Sequence, residues 1–96
     1  MIGLYKFYWD CGRQGDVEGL FLADDVEVNA KIGREVYFGE ILGKHSEVYG
    51  TLEPQDIQLI SNDPVVVKIF QDHNISSGHN PLHYAEEVTE DSGEPA

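Results

Sequence analysis

The chain has 96 residues, 41% of them apolar, which suits a single globular domain with a thin core. Eighteen acids against six bases give a formal net charge of −12, which disfavours direct binding of nucleic acid because nucleic acid is itself a polyanion. No segment approaches the ~18 apolar residues of a membrane span, and a single cysteine, Cys11, excludes an internal disulfide. Because no signal peptide is recognisable, we expect a cytoplasmic protein without membrane contact.

Residues 2–23 predict a β-hairpin. In the first strand, over 2–9, alternate side chains form an aromatic face: Tyr5, Phe7 and Trp9. A loop over 10–16 follows, and its two glycines can take positive φ. The apolar segment 17–23 predicts the second strand, paired with the first.

A short helix is predicted after the hairpin. Asp24 and Asp25 are favourable N-cap residues, and Gly33 is a typical C-terminal stop. Apolar residues four apart between these signals indicate a helix of about two turns.

Two more strands are predicted over 35–42 and 46–53, and the length of the loop between them decides their register. A two-residue loop would set Glu40 opposite Glu47, which is unfavourable. A three-residue loop, which pairs Leu42 with Ser46, is favoured because it gathers four apolar residues on one face: Val36, Phe38, Val48 and Leu52. In that register Glu40 shares the apolar face near the hairpin tip.

The second half predicts a fifth strand over 57–61 and then a helix. Asp63 is the expected N-cap, Pro64 the first helical residue, and Asn74 the end of the helix. An amphipathic stripe is predicted at helical spacing: Val66, Ile69, Phe70 and His73.

Residues 75–84 have loop composition and are expected to lie back across the domain, anchored by Leu82 and Tyr84. Residues 86–96 hold five acids and no base, and we expect an acidic disordered tail there. The prediction is therefore one α+β domain over 1–85, with a small antiparallel sheet of about five strands in the order ββαβββα and two short helices.

The hairpin tip carries the densest set of chemical groups, and loops on a rigid scaffold present such groups well. We expect the binding residues to lie there, together with one basic residue of the first loop: Glu40, Lys44, His45, Ser46, Glu47 and Arg13. A buried Glu40 would need a partner or a raised pKa. The alternative interpretation is a solvated turn at the rim of the sheet.

Other groups of polar residues give weaker indications of a functional site. His79 and His83 are four apart with His73 nearby, but Pro81 interrupts the spacing, so we expect surface or capping histidines and no metal site. Cys11 lies beside Arg13 without a general base, which favours a structural thiol over an activated one. Because no nucleophile, base and orienting group stand at catalytic spacing, we expect neither an enzyme nor a cofactor.

Two functions follow from these features. The first is an acidic binding protein that engages a basic protein surface, in one version a nucleic-acid-mimicking inhibitor of the kind phages use against host defence, acting on a nucleic-acid-binding protein. The alternative is a protein that sequesters a small polar or nucleotide-like ligand at the 40–47 hairpin tip. Self-association stays open in both.

Overall fold

The computed structural model describes residues 1–43 and 47–85, and its class is α+β with antiparallel pairing, as predicted. Its six strands are β1 Ile2–Asp10, β2 Asp16–Asp24, β3 Glu35–Gly39, β4 Val48–Thr51, β5 Ile57–Ser61 and β6 Ser77–Gly78. Its helices are α1 Asp25–Lys31 and α2 Pro64–Asp72, with short 3-10 turns at Gly12–Gln14, Pro54–Asp56 and Pro81–His83. The strands form a four-stranded sheet in the order β5-β1-β2-β6 and a two-stranded ribbon of β3 and β4.

The β1–β2 hairpin forms as the sequence predicts. The two strands pair over their whole length, and Asp10 faces Asp16 at the end where the chain turns. Gly12 and Gly15 have φ of 67° and 114°, backbone conformations that a side chain would strain. The inner face of this hairpin carries most of its buried side chains: Tyr5, Phe7, Val17, Phe21 and Ala23.

The first helix begins and ends at the predicted residues. The Asp24 carboxylate accepts a hydrogen bond from the Val26 amide at 2.9 Å, which satisfies one of the free donors at the helix start. Gly33 follows the helix with φ of 88°, and its amide donates to the Leu52 carbonyl at 2.7 Å. The helix end is thereby tied to the chain that leaves β4.

The ribbon has the predicted faces but not the predicted register. Tyr37 pairs with Tyr49, whereas the expected loop would have set Tyr37 opposite Thr51. Because this shift is two residues, the apolar face is preserved, and four side chains are buried on it: Val36, Phe38, Val48 and Leu52. The expectation for Glu40 is wrong, because β3 ends in a register shift at Gly39, where φ is 81°, and Glu40 lies beyond it, exposed.

Helix α2 has the predicted cap but a different buried face. The Asp63 carboxylate accepts from the Val65 amide at 2.9 Å, with proline at the first helical position. Val67 is the buried residue, whereas Ile69 and His73 of the predicted stripe are exposed. The helix packs against β1 and β2 with Val67 buried, while Val66 and Phe70 of the predicted stripe are half-buried.

Residues 75–85, called the strap below, lie back across the domain as expected. Its short strand β6, which was predicted as loop, pairs with β2 through Gly19 and Gly78. Leu82 is 4% exposed within the core, and Ala85 forms a bridge with Val36 of β3. The strap therefore connects the four-stranded sheet to the ribbon.

An aromatic cluster centred on Phe38 joins these layers. The centroid of the Phe38 ring lies 5.8 Å from the ring centroid of Phe7, 5.7 Å from that of Trp9, 5.7 Å from that of His79 and 4.8 Å from that of Tyr84. Such pairs contribute about 0.5–1.5 kcal/mol each beyond the area that they bury. Among the helices of residues 1–43 and 47–85, none has the length and apolar character to cross a bilayer.

Candidate binding cleft

The structure describes three of the six predicted site residues. Glu47 directly precedes β4 and is exposed, Glu40 is exposed beyond the end of β3, and Arg13 is exposed in the turn of the β1–β2 hairpin. Lys44, His45 and Ser46 lie outside the described residues. Of the three that are described, Glu47 lines a cleft, whereas Glu40 and Arg13 do not line it.

This cleft lies between the end of β1 and the strand β4 and has a volume of about 500 Å³. Its lining comes from two segments that are distant in sequence: Trp9, Asp10 and Cys11, and Glu47, Val48, Tyr49, Gly50 and Thr51. We call it the Trp9–Tyr49 cleft. Among the residues that the structure describes, the lining includes two aromatic residues, Trp9 and Tyr49, and two acidic residues, Asp10 and Glu47, but no lysine or arginine.

The Trp9 ring is fixed on several sides. Its Nε1 donates a hydrogen bond to Asp56 Oδ2 at 2.8 Å, and the same oxygen accepts from the Glu53 amide at 2.9 Å. The ring packs edge-on against Phe7 at 5.2 Å. Gly50 of β4 lies against the ring, since a Cβ built there would be at van der Waals contact, 3.4 Å from it. The indole is therefore a preorganised wall of the cleft.

Beside the cleft, Tyr37 and Tyr49 stack across the outer face of the ribbon. Their ring centroids lie 6.3 Å apart at 28°, and the side chains are 54% and 64% exposed. The pKa of Tyr37 is raised, first by its hydrogen bond to Glu47 and then by burial and by the charges of Glu47 and Glu40. At the other end of the ribbon the Thr51 hydroxyl donates to Glu35 at 2.9 Å. The tyrosine pair is thus bordered by carboxylates at both ends.

The hairpin end of β1 and β2 adds more negative charge. Asp10 and Asp16 face each other across the strands, where like charges are unfavourable. The Tyr8 hydroxyl is hydrogen-bonded to Asp16, and this bond, with burial and three nearby carboxylates, raises the pKa of Tyr8 to about 12. Asp10 also has a local partner, because its Oδ1 accepts a hydrogen bond from the Gly12 amide at 2.8 Å.

Cys11 lines the cleft, half-buried, and packs against the core. Burial raises the pKa of its thiol, and the charges of Asp10 and Asp16 raise it further. An activated cysteine needs the opposite shift. The interpretation of Cys11 as a structural thiol is therefore supported, and the neighbouring Arg13 does not outweigh the aspartates.

The carboxylates of the described surface are mostly uncompensated. Residues 1–43 and 47–85 contain thirteen acids and five bases, a formal net charge of −8. Within these residues, ion pairs engage three carboxylates: Asp24 and Asp25 with the amino terminus, and Asp72 with Lys68 at 3.2 Å. The other ten carboxylates in this part of the chain, including both in the cleft, have no ion-pair partner there.

Two of the histidines that the sequence suggested as metal ligands, His79 and His83, make different contacts. His79 packs its ring against Phe38, while His83 Nε2 lies 3.5 Å from the Asn80 amide nitrogen. Both border a second cavity of about 540 Å³ between β2, α2 and the strap. In residues 1–43 and 47–85, no three His, Cys, Asp or Glu side chains are grouped so as to hold a metal ion.

Sequence reasoning placed Glu47 in a candidate site but missed Trp9, Asp10 and Tyr49. The fold distributes the exposed and buried aromatic residues over different places: Tyr5 is buried in the core, Tyr8 lies on the opposite face of the sheet, Trp9 lines the cleft, and Tyr37 and Tyr49 stack on the ribbon. The available signal was the alternation of β1, which predicts only that Trp9 shares a face with Phe7.

A scan against protein-family models found no family that matches this chain, and searches of curated proteins and of solved structures found no match.

Proposed function

We propose that this chain is a non-enzymatic acidic binding protein that engages a basic surface of a protein partner through the Trp9–Tyr49 cleft. The observation that carries the proposal is the composition of the cleft: within residues 1–43 and 47–85 its lining has two aromatic residues, two acidic residues and no lysine or arginine. A lysine or arginine side chain of a partner is the group that such a lining complements. The cytoplasmic location predicted from the lone Cys11 is part of the proposal.

Two kinds of interaction would bind a basic side chain in the cleft, and each contributes a small free energy. A guanidinium or ammonium over the face of an exposed aromatic ring gains about 0.5–1 kcal/mol. An exposed ion pair with a carboxylate such as Glu47 or Asp10 gains about 0.2–1 kcal/mol. One cation therefore binds weakly, and useful affinity needs several bases on one partner surface, which the surrounding uncompensated carboxylates would attract and orient.

A narrower version of the proposal is an inhibitor that imitates nucleic acid and occupies the binding surface of a nucleic-acid-binding protein. It is supported by the ten carboxylates of the described residues that have no ion-pair partner within those residues. Such an inhibitor and the nucleic acid would compete for the same site, and salt would weaken both complexes.

The alternative, sequestration of a small polar or nucleotide-like ligand at the 40–47 tip, stays a prediction. Glu47 from that tip lines the cleft, so a small ligand would meet the same walls. A phosphate would be repelled by Asp10 and Glu47, whereas a cationic ligand would not. The cleft chemistry therefore favours the first function over a nucleotide.

The chain offers a direct test, because Trp9 is its only tryptophan and its fluorescence reports on the cleft. We expect an oligoarginine peptide to change this fluorescence in a saturable, salt-sensitive titration. In the double variant Asp10→Asn with Glu47→Gln, the loss of two exposed ion pairs should weaken binding by about 2–30-fold.

The matched control is the double variant Glu27→Gln with Asp72→Asn. It removes the same charge from exposed positions on the two helices, away from the cleft. We expect at most a small change in affinity from it. Equal weakening by both double variants would show that net charge alone attracts the peptide and would refute a site in the cleft.

A further inference from the structure

The outer edge of β5 is an unusual stretch of this acidic molecule. β5 ends the four-stranded sheet, and among the strands that the structure describes it pairs with β1 alone. Its five residues, Ile57–Ser61, include no charge and no proline. Natural sheets usually protect an edge with lysine, proline or a bulge, and β5 has only a register shift against Leu4 and Tyr5.

The side chains at this edge are apolar and accessible. Leu59 and Ile60 are each 47% exposed, although Leu59 also packs closely over Gly3. Beyond the end of β5 the surface continues into an apolar pocket of about 470 Å³ whose lining includes Ile2 and Val67. A strand that added to β5 would therefore gain both backbone hydrogen bonds and apolar contacts.

The acids that border the strand point into their own chain. Asp56 accepts hydrogen bonds from Trp9 Nε1 and from the Glu53 amide, and Asp63 accepts from the Val65 amide. Two copies with a net charge of −12 each repel one another over most of their surfaces. Because β5 itself carries no charge, pairing at this edge opposes no like charges within the strand.

We propose that a second copy of this chain pairs antiparallel with β5 and joins the two four-stranded sheets into one. A two-fold axis at Leu59 would place Ile57 opposite Ser61 of the second copy and Gln58 opposite its Ile60, so the edge is self-complementary and neutral throughout. The contact is small beside the roughly 1,200–2,000 Å² of a standard interface, which makes the dimer weak.

The sign of the salt effect separates this dimer from binding of a basic partner. Salt screens the repulsion between two acidic copies and strengthens the dimer, whereas it weakens a complex held by opposite charges. A chain that fails to dimerise would therefore leave the proposed function unaffected, and a chain that fails to bind a basic partner would leave the dimer unaffected.

Sedimentation velocity of the full chain tests the inference. We expect the weight-average mass to rise from monomer toward dimer between about 10 μM and 1 mM, with the rise at lower concentration in high salt. Leu59→Lys sets two lysines opposite each other at the axis and should abolish the dimer, even though it lowers the net negative charge. Gln58→Lys places a charge opposite Ile60 of the second copy and should weaken the dimer, and because Gln58 is exposed this variant loses no packing within the monomer.

The matched control is Val26→Lys, because Val26 is 72% exposed on α1 and the charge change is identical. It should dimerise at least as well as the parent chain. A parent chain that stays monomeric at every concentration and salt level would overturn the inference. A dimer that both β5 variants retain would overturn it as well.

Discussion

Replacement of Gly19 by alanine should release the strap from the sheet. A Cβ at Gly19 would lie 1.9 Å from the His79 carbonyl oxygen, 2.7 Å from its carbonyl carbon and 2.9 Å from its amide nitrogen. All three atoms are backbone, so no rotamer change relieves the clash. Because a carbon–oxygen contact needs roughly 3.3 Å, His79 would have to move by about 1.4 Å.

The cost of that movement follows from what the strap contributes. The bond from the His79 amide to the Glu18 carbonyl, now 2.9 Å, and the pairing of Gly19 with Gly78 would be lost, at about 1 kcal/mol for each hydrogen bond. Exposure of Leu82, now 4% exposed, removes a further ~1.5–3 kcal/mol. We expect Gly19→Ala to lower the free energy of unfolding by about 3–5 kcal/mol.

Urea denaturation followed by far-UV circular dichroism measures this loss, and amide hydrogen exchange locates it in the strap. Ser77→Ala is the control, because Ser77 lies in the same short strand with an exposed side chain. It should change stability by less than about 0.5 kcal/mol. A Gly19→Ala variant that loses less than about 1 kcal/mol and keeps the His79 amide protected would refute the close packing described above.

Three further predictions concern groups in or near the cleft. Because the pKa of Tyr8 is raised from 10.0 to about 12, its contribution to stability is complete below pH 10 and is lost as the pH rises through 12. Ultraviolet titration should show this late step, and Asp16→Asn should move it toward 10; a Tyr8 that already titrates at 10 contradicts the geometry. Because burial and neighbouring carboxylates raise its pKa, Cys11 should react with iodoacetamide more slowly than free cysteine, and a faster rate would be incompatible with this environment. Asp56→Ala leaves Trp9 Nε1 without its acceptor and should cost about 1–3 kcal/mol in urea denaturation; a cost below 0.5 kcal/mol would rule out a structural role for that bond.

The features that the sequence predicts well are those with local causes. The caps at Asp24 and Asp63 work through a side chain that bonds an amide two residues away, so a short stretch of sequence contains the whole interaction. The two glycines of the first turn follow from the φ values that a tight connection needs. The fold class follows from the alternation of strand and helix patterns.

The features that it misses depend on contacts between distant segments. The ribbon register is set by the bulge at Gly39, and glycine at that position does not reveal whether the strand ends or continues. The strand β6 exists because Gly19 and Gly78 both lack a Cβ at a close backbone approach, 59 residues apart in the chain. The cleft likewise needs the end of β1 and the strand β4 to lie side by side, so alternation along one strand could not predict it.

Affinity capture with three baits tests whether the cleft captures a basic protein surface. These are the full chain, the Asp10→Asn with Glu47→Gln variant, and the Glu27→Gln with Asp72→Asn control. We expect the parent and control baits to retain the same basic partner at low salt, the cleft variant to lose it, and high salt to release it from both. A partner held equally by all three baits, or one whose retention does not depend on ionic strength, would show that the cleft does not bind a basic surface.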